Sequence, residues 1–289
     1  MSSARPGLAA LLASLSMAGF ASMDAMSKFL VRDYPIVQTL WIRFVIFTGF
    51  ALLVARPAGI RASLHSARPW LQAGRGLLAL VENGVFVLAF LYLPLADTHA
   101  IAATSPLLVI ALSVPLLGEK AGLDRWLAVL AGFAGVLLII RPGFQALTWP
   151  LLIPLAGALL WALYQVLTRL TARDDPAETT LLWTALSGLA GTALLVPWYW
   201  APPSPTAWLL LAGVGLLGSL SHFALIKALD FAEAGAVQPY AYTLLVWATM
   251  LGFLVFGDLP DAWTIGGAGV VVLSGLWSWH RNRSGKGRA

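Results

Sequence analysis

The chain has 289 residues, of which 59% are apolar and only 11% are charged, whereas about 25% of the residues in soluble domains are charged. So few charges cannot cover a water-soluble protein of this length, and the composition therefore excludes a soluble globule and indicates a lipid environment. The net charge of +5 is spread over short segments between apolar runs, which argues against a nucleic-acid partner, and the absence of cysteine excludes disulfides and thiolate sites.

Ten apolar runs are long enough to cross a membrane, because a helix needs about 20 residues to span the hydrocarbon layer. The runs lack the alternating pattern of a membrane β-barrel. We therefore predict an all-α membrane protein with the lipid bilayer as its partner. In chain order, the ten predicted spans are Leu8–Leu30, Ile36–Val54, Trp70–Leu91, His99–Leu117, Leu123–Ile140, Leu151–Leu170, Thr179–Tyr199, Ala207–Leu229, Ala234–Phe256 and Ala262–Trp279.

The distribution of positive charge predicts the orientation of these spans, because positively charged segments are retained in the cytoplasm. If the N-terminus is cytoplasmic, thirteen of the 18 Lys and Arg residues lie in cytoplasmic segments, and only Lys28, Arg32 and Arg141 lie in outer ones. We therefore predict that both termini are cytoplasmic. A cleaved signal peptide ending near Ala21 is an alternative for the first span, but this span takes part in an internal repeat.

An internal repeat becomes visible when the chain is shifted by about 140 residues, which aligns the two halves over all five pairs of spans. Trp41 then falls on Trp183 and Gly49 on Gly191, and further matches follow in the same order along both halves. A single match means little in a leucine-rich sequence. Five matches in one order indicate a duplication.

The number of spans in each half decides how the two halves are oriented. Five is odd, so the second half enters the membrane from the face opposite to the first. We predict a first five-helix repeat over residues 1–145 and a second, inverted five-helix repeat over residues 146–289. Inverted repeats are typical of secondary transporters, whose binding site lies near the middle of the membrane, and the sequence therefore predicts a central cavity between the halves.

Short motifs in both halves carry a family resemblance. They are Pro94-Leu-Ala-Asp97, Thr104-Ser105-Pro106, Leu117-Gly118-Glu119, Arg125-Trp126, Arg141-Pro142-Gly143, Trp161-Ala162 and Gln238-Pro239 to Phe256-Gly257-Asp258. With these motifs the chain resembles the EamA-like branch of the drug/metabolite transporter superfamily over about residues 8–280. The resemblance implies ten helices with a central cavity lined by helices 1–4 and 6–9. Within the superfamily the chain looks most like bacterial exporters of amino acids, including aromatic ones.

Polar side chains within the spans are the first candidates for solute binding, because exposing them to lipid is costly. Glu82 and Asn83 lie near the middle of the third span, and the repeat aligns them with Ser221 and His222 of the eighth. A two-fold axis places these spans on opposite walls of the cavity. There, a carboxylate and an imidazole can meet the two charged groups of an amino acid or carry a proton. Hydrogen bonding between helices is the alternative.

Two further charged residues, Asp24 and Arg43, lie at similar depths in the first and second spans. We expect them to form an ion pair, which either holds two helices together or contacts the substrate. Arg75 lies only about five residues into the third span, and we expect its side chain to extend to the cytoplasmic surface.

Stripes of aromatic and polar side chains follow one face of the first span and the matching face of the sixth. Such faces suit a solute with an apolar body and a polar end, although many aromatic residues of this chain must serve packing or the membrane interface. With two tyrosines of the ninth span, the stripe residues predicted to bind substrate are Phe20, Asp24, Trp161, Tyr164, Gln165, Tyr240 and Tyr242.

Prolines within the spans are candidate hinges, because each removes a backbone hydrogen bond and permits bending. They are Pro106 and Pro115 in the fourth span, Pro154 in the sixth and Pro239 in the ninth.

Enzymatic and ATP-driven functions lack their motifs, since the sequence contains neither His-Glu-x-x-His nor a Gly-x-x-x-x-Gly-Lys-Ser/Thr loop. We therefore predict no catalytic residue, metal site or cofactor. The predicted function is a secondary transporter, a monomer or weak homodimer, that exports apolar or aromatic amino acids across the bacterial inner membrane by alternating access. Export of drugs or other small metabolites by the same fold is one alternative, and a non-transport scaffold or receptor is another. Proton coupling and passive carriage both stay open.

Overall fold

The computed structural model describes residues 6–118, 122–140, 149–231 and 240–285, and the regular structure in these ranges is helical. Arg141 and Pro239 lie outside the described residues. The α-helices of the described ranges are α1 (Pro6–Leu30), α2 (Ile36–Ala55), α3 (Ile60–Leu64), α4 (Pro69–Tyr92), α5 (Leu95–Ala102), α6 (Ser105–Leu117), α7 (Leu123–Ile140), α8 (Leu152–Thr171), α9 (Ala177–Ala193), α10 (Pro205–Phe231), α11 (Thr243–Leu251) and α12 (Ala262–Gly285). A π-helical turn, Gly252–Phe256, continues α11.

Eight helical stretches in the described part of the chain are long and apolar enough to cross a membrane. This finding confirms the prediction of an all-α, multi-pass membrane protein. Two shorter apolar helices, Trp126–Ile140 and Thr243–Phe256, fall at the fifth and ninth predicted spans.

The fourth predicted span begins earlier than expected and is broken into α5 and α6. Pro106 cannot donate the backbone hydrogen bond that would reach the carbonyl of Ala102, and α5 ends at that residue. The Ser105 hydroxyl donates to this carbonyl at 2.6 Å, and the Thr104 hydroxyl donates to the carbonyl of Ile101 at 2.7 Å. The break therefore leaves these two carbonyls hydrogen-bonded inside the apolar span.

Helices of the first half pack mainly against helices of the second. α1 packs on α10 and α8 on α4, α2 packs on α10 and α9 on α4, and α1 packs on α11 and α8 on α6. α2 also packs on α9, and α7 on α12. The helices α1, α2, α4, α6 and α7 can be matched, in that order, with α8, α9, α10, α11 and α12. When matched helices are exchanged, the two contacts of each of the first three pairs interchange, and the contacts α2–α9 and α7–α12 stay the same.

Two glycines allow the backbones of α7 and α12 to touch. A Cβ atom at Gly135 would lie 2.7 Å from the carbonyl oxygen of Gly267, and one at Gly267 would lie 2.5 Å from the carbonyl oxygen of Gly135. Small residues at such crossings are how membrane helices approach closely. No described side chain of α7 or α12 lines the cavity between the other helices.

A buried polar cluster joins α4 to α9. The Arg75 guanidinium is fully buried and donates to the side chain of Gln72 at 2.9 Å, the carbonyl of Thr180 at 2.7 Å and the hydroxyl of Thr184 at 2.8 Å. The expectation that Arg75 extends to the surface is wrong, because partners on α9 and on its own helix satisfy the guanidinium inside the protein.

Asp175, in the loop between α8 and α9, continues this cluster. It accepts hydrogen bonds from the Gln72 amide at 2.8 Å, the backbone N–H of Ala67 at 2.9 Å and the Ser66 hydroxyl. Burial alone raises the pKa of the Asp175 carboxyl, but these hydrogen bonds and the charge of Arg68 outweigh burial, so its pKa is lowered.

Candidate solute-binding cavity

A cavity of about 210 Å³ lies between the two halves of the chain. Its wall is formed by α1, α2, α4, α5, α8 and α10, together with residues at the start of α6 and α11. Nine of the twelve residues predicted to bind substrate line it. They are Phe20, Asp24, Arg43, Glu82, Asn83, Trp161, Gln165, His222 and Tyr242.

Charged groups occupy one region of this wall. Arg43 on α2 donates a hydrogen bond to the side-chain oxygen of Asn83 on α4, and the Asn83 amide donates to the carbonyl of Ala79 at 2.7 Å. The carboxylates of Asp24 and Glu82 both act electrostatically on the Arg43 guanidinium. Arg43 and Glu82 are buried, so their interactions are little screened by water.

The expected ion pair between Asp24 and Arg43 is replaced by a different pairing. Asp24 lies closest to a histidine that the sequence analysis did not single out, since its Oδ2 atom is 3.2 Å from Nε2 of His99 on α5. His99 is the first residue of the fourth predicted span, and this position does not place it deep in the membrane or next to the cavity. The Thr104-Ser105-Pro106 run is the signal that could have placed it, because a helix break there brings a separate short helix to the cavity.

The second histidine of the wall, His222, faces the cavity from α10. Its Nδ1 atom lies 3.0 Å from the carbonyl oxygen of Gly218, one turn earlier on the same helix. Its ring packs edge-to-face on Phe20, with 4.8 Å between ring centroids, and against Phe47 at 5.5 Å. The cavity therefore brings together Glu82 from α4 and His222 from α10, as the repeat alignment predicts.

Aromatic faces form the rest of the predicted stripe. Trp161 on α8 lines the cavity and stacks on Tyr164, with 5.4 Å between ring centroids and 20° between ring planes. Phe20 and Phe86 line the wall from α1 and α4. The cavity thus offers apolar ring surfaces next to groups of both charges.

Three predicted binding residues lie away from the cavity, and Ser221 is one of them. It is buried where α10 crosses α1, its hydroxyl packs against Gly19, and its carbonyl accepts a hydrogen bond from Ser16 at 2.7 Å. The small residue at position 19 is what allows this close crossing.

The other two are tyrosines. Tyr164 turns toward the Arg75 cluster, where the guanidinium carbon lies 5.1 Å from the ring centroid. Tyr240 packs with Ala13 and Ala228 at the contact between α1 and α10. Tyr242 does line the cavity, but its hydroxyl packs against Gly275 of α12.

The predicted hinge prolines differ in their placement. Pro106 and Pro154 lie in the first turns of α6 and α8, where a backbone N–H has no helical partner in any case. Pro115 alone lies inside a described helix, and Pro239 lies outside the described residues. The break before Pro106 lies next to the cavity, because Ser105 and Pro106 both line it.

Comparison with known proteins identifies the family. The EamA-like transporter family matches residues 7–141 and 148–278. The chain is 29% identical to the riboflavin transporter of Vibrio cholerae (93% of this chain and 92% of that protein). It is 25% identical to the S-adenosylmethionine uptake transporter of Rickettsia felis (91% and 89%) and 27% identical to the pseudopaline exporter CntI of Pseudomonas aeruginosa (91% and 93%).

A solved crystal structure shares the fold, with a TM-score of 0.62 at 20% identity over 92% of this chain and 96% of that chain. The family match covers nearly the whole chain, in two segments. Together with the apolar helices, it makes the protein a multi-pass transporter of the inner membrane. The chain therefore belongs to the EamA-like transporter family of the drug/metabolite transporter superfamily.

Proposed function

We propose that this transporter exports amino acids with an apolar or aromatic side chain, or close derivatives of them, by alternating access. One observation carries the proposal: the cavity places groups of both charges beside aromatic ring faces. A solute with an ammonium group, a carboxylate and an apolar body satisfies all three features at once.

Each part of such a solute has a matching part of the wall. The guanidinium of Arg43 suits a carboxylate, since charge-assisted hydrogen bonds are the strong ones. The carboxylates of Asp24 and Glu82 suit an ammonium group. The rings of Trp161 and Phe86 suit the apolar body, because stacked and edge-to-face ring pairs contribute beyond area burial.

The size of the cavity favours a small solute. At about 210 Å³, it is below the roughly 300–1,000 Å³ of typical ligand pockets. The chemistry of one relative's substrate supports the amino-acid class, although not a small size. S-adenosylmethionine is itself an amino-acid derivative with an ammonium group, a carboxylate and a planar ring, and a relative is named as its uptake transporter.

Export is the direction implied by the resemblance to amino-acid exporters and by the relative named as a pseudopaline exporter. The name of the S-adenosylmethionine uptake transporter indicates the opposite direction. The transport experiment must therefore also measure the direction of transport.

We also propose the complete architecture as ten membrane helices in two inverted repeats, residues 1–145 and 146–289, with both termini cytoplasmic. The exchange of helix contacts between the halves supports this proposal, because a two-fold axis in the membrane plane requires it. Cysteine labelling from each face tests it, since the chain has no native cysteine. Labels at residues 1 and 289 on opposite faces would contradict it.

The functional test is solute counterflow in proteoliposomes with each of the twenty amino acids. We expect exchange of phenylalanine and other large apolar amino acids, and weaker exchange of acidic ones. Glu82→Gln should reduce exchange of phenylalanine more than exchange of phenylpropionate, which lacks the ammonium group. Glu178→Gln, a matched change in the first turn of α9 and outside the cavity, should leave both unchanged.

Two results would contradict amino-acid transport. If the vesicles move no amino acid but move another small metabolite, the protein is instead an exporter of drugs or metabolites with the same fold. Vesicles that move no solute of any class, from a chain that binds a protein partner tightly, would favour a scaffold or receptor.

Riboflavin is the second candidate, and the Trp161 ring favours it, because this ring lines the cavity and a flavin is a planar ring system that can stack on it. The relative named as a riboflavin transporter covers nearly all of this chain. Riboflavin carries no ammonium group, so Glu82→Gln should spare riboflavin exchange and reduce amino-acid exchange. Exchange of riboflavin alone would replace amino acids as the proposed substrate.

A further inference from the structure

Among the polar groups of the cavity wall, Asp24 and His99 form a pair whose role the solute contacts do not explain. Their side chains come from different helices, α1 and α5, and the Oδ2 and Nε2 atoms are 3.2 Å apart. Only 5% of the His99 side chain and 14% of the Asp24 side chain are exposed. Both residues line the cavity.

The His99 ring has unused hydrogen-bonding capacity. The 3.2 Å separation is an ion-pair distance, yet neither ring nitrogen makes an aligned hydrogen bond to another residue in the described part of the chain. Phe86 lies parallel to the ring, with 6.4 Å between centroids, and Phe90 lies 5.9 Å away. These apolar rings cannot take or give a proton, which leaves Asp24 as the facing polar group.

The charge of the cavity wall makes a proton useful at this position. In the part of the chain that the structure describes, the charged residues that line the cavity are two acids, Asp24 and Glu82, and one base, Arg43. Asp24 is the acid that faces His99. A proton on Nε2 of His99 and the ammonium group of a solute both pair with the Asp24 carboxylate, so each disfavours the other.

The remaining charged groups near α5 have other partners or lie outside the cavity. Lys28, one turn beyond Asp24 on α1, forms an ion pair with Asp258 at 2.7 Å. Asp97, on α5 itself, interacts with Thr264, Asp258, Asp261 and Lys28.

Of the other helices packed on α5, α8 contributes the uncharged Trp161 and Gln165 to the wall. Among the described residues, the segment that leads into α11 contributes Tyr242 and no carboxylate, amine or guanidinium, and none of α7 or α12 lines the wall.

His222, the other histidine of the wall, is less suited to this role. Its Nδ1 atom already faces the Gly218 carbonyl, and the positive charge of Arg43 acts on the ring. His222 also lies within the continuous helix α10. His99, in contrast, lies on the short helix α5, which is separated from α6 by the break before Pro106.

We propose that Asp24 and His99 form a proton-binding site that couples solute export to proton entry. This inference rests on the proposed transport function. In each cycle one proton from the outer water binds Nε2 of His99, where the Asp24 carboxylate stabilises the imidazolium. When the cavity opens to the cytoplasm, an incoming ammonium group takes the place beside Asp24, and the same proton leaves Nε2 for the cytoplasmic water. No other bond forms or breaks.

The coupling is measured in proteoliposomes with an acidic lumen, in an outer buffer of higher pH that contains radiolabelled phenylalanine, with K⁺ and valinomycin holding the membrane potential at zero. One pH unit corresponds to about 1.4 kcal/mol, which concentrates the solute about tenfold in one-for-one exchange with protons. We expect the wild type to reach this ratio. His99→Gln should show no gradient-driven accumulation while it retains counterflow, which requires no net proton movement. His65→Gln, a change at an exposed histidine before α4, should behave as wild type.

A second measurement does not depend on the solute. Histidine labelled with ¹⁵N reports imidazole protonation of the purified full-length chain in lipid nanodiscs, and His99→Gln identifies the His99 signal among the four histidines. Asp24→Asn should change the titration midpoint of this signal, because the imidazolium loses its counter-ion. The exposed change Asp33→Asn should not move it.

Each failure has a distinct meaning. Counterflow of phenylalanine without accumulation by the wild type, or full accumulation by His99→Gln, would overturn the proton site and leave the transport function intact. A chain that moves no solute would overturn the proposed function. In that case the nanodisc titration still decides whether Asp24 and His99 form a coupled pair, and an unchanged midpoint in Asp24→Asn would show that they do not.

Discussion

Arg43 on α2 and Asn83 on α4 are joined by a side-chain hydrogen bond in the wall of the cavity. The Asn83 amide is fixed in turn by the carbonyl of Ala79, so its oxygen is held toward the guanidinium. An uncharged partner takes up only part of the five-donor fork of arginine. The guanidinium therefore keeps donors available for a carboxylate that enters the cavity.

Arg43→Gln should weaken binding of carboxylate-bearing solutes. Hydrogen bonds to charged groups contribute about 1.5–3 kcal/mol, which corresponds to roughly a 10- to 150-fold rise in the half-saturation concentration. Counterflow of phenylalanine and of phenethylamine, which lacks the carboxylate, separates loss of a carboxylate contact from loss of structure. Only the half-saturation concentration for phenylalanine should rise this much. Arg56→Gln, at an exposed arginine after α2, is the control, and equal losses for both solutes would assign Arg43 a structural role.

The sequence predicts the long apolar helices and several residues of the cavity wall, because length and hydropathy are local properties of the chain. Glu82 and His222 were expected on facing walls from the repeat alignment alone, and they line one cavity. The depth of a polar residue in a span follows from counting, so Asp24, Arg43 and Asn83 were also placed near the cavity.

The partners of these residues could not be predicted, because they depend on helix rotation and packing. Arg75 is the clearest case: its partners Thr180 and Thr184 lie more than 100 positions away on α9, and a count of residues into the span cannot reveal them. His99 was missed for a related reason. The break before Pro106, which separates α5 from α6, was interpreted as part of one continuous apolar run.

The buried cluster around Asp175 makes stability depend on pH in acid. The pKa of the folded carboxyl is lowered, so its contribution to stability is present above the ordinary aspartate value of about 3.9 and is lost as the pH falls through the lowered folded value. Asp175→Asn should therefore be less stable than wild type at pH 7, and the difference should shrink below about pH 4. Thermal unfolding in detergent at several pH values measures it.

A matched control for this prediction is Asp174→Asn. Asp174 forms an exposed ion pair with Arg68 at 2.9 Å, and exposed pairs contribute at most about 1 kcal/mol. The control should unfold close to wild type at every pH. A constant difference between Asp175→Asn and wild type from pH 7 to pH 3 would mean that ionisation of Asp175 does not stabilise the fold.

The contact between α7 and α12 should not tolerate a larger side chain. Gly135→Val adds a branched side chain where even a Cβ atom would lie 2.7 Å from the carbonyl of Gly267, and overpacking of this kind costs about 1–3 kcal/mol. We expect a lower unfolding temperature in detergent. Gly269→Ala is the control, because a Cβ there meets nothing within 4 Å, and a Gly135→Val variant as stable as this control would contradict the tight crossing.

Trp161 should set the preference for large apolar solutes. Its ring lines the cavity and is held by stacking on Tyr164, and ring pairs of this kind contribute about 0.5–1.5 kcal/mol beyond area burial. Trp161→Ala should therefore raise the half-saturation concentration for phenylalanine and tryptophan by about twofold to twelvefold, with a smaller change for alanine. Competition assays in proteoliposomes measure these ratios.

Trp70→Ala is the control for a lost tryptophan, since Trp70 is 88% exposed at the start of α4 and lies outside the cavity. Its substrate ratios should match those of the wild type. If Trp161→Ala weakens alanine and phenylalanine by the same factor, the ring only supports the packing of α8. The apolar part of the solute should then contact Phe20 and Phe86, the two phenylalanine rings of the wall.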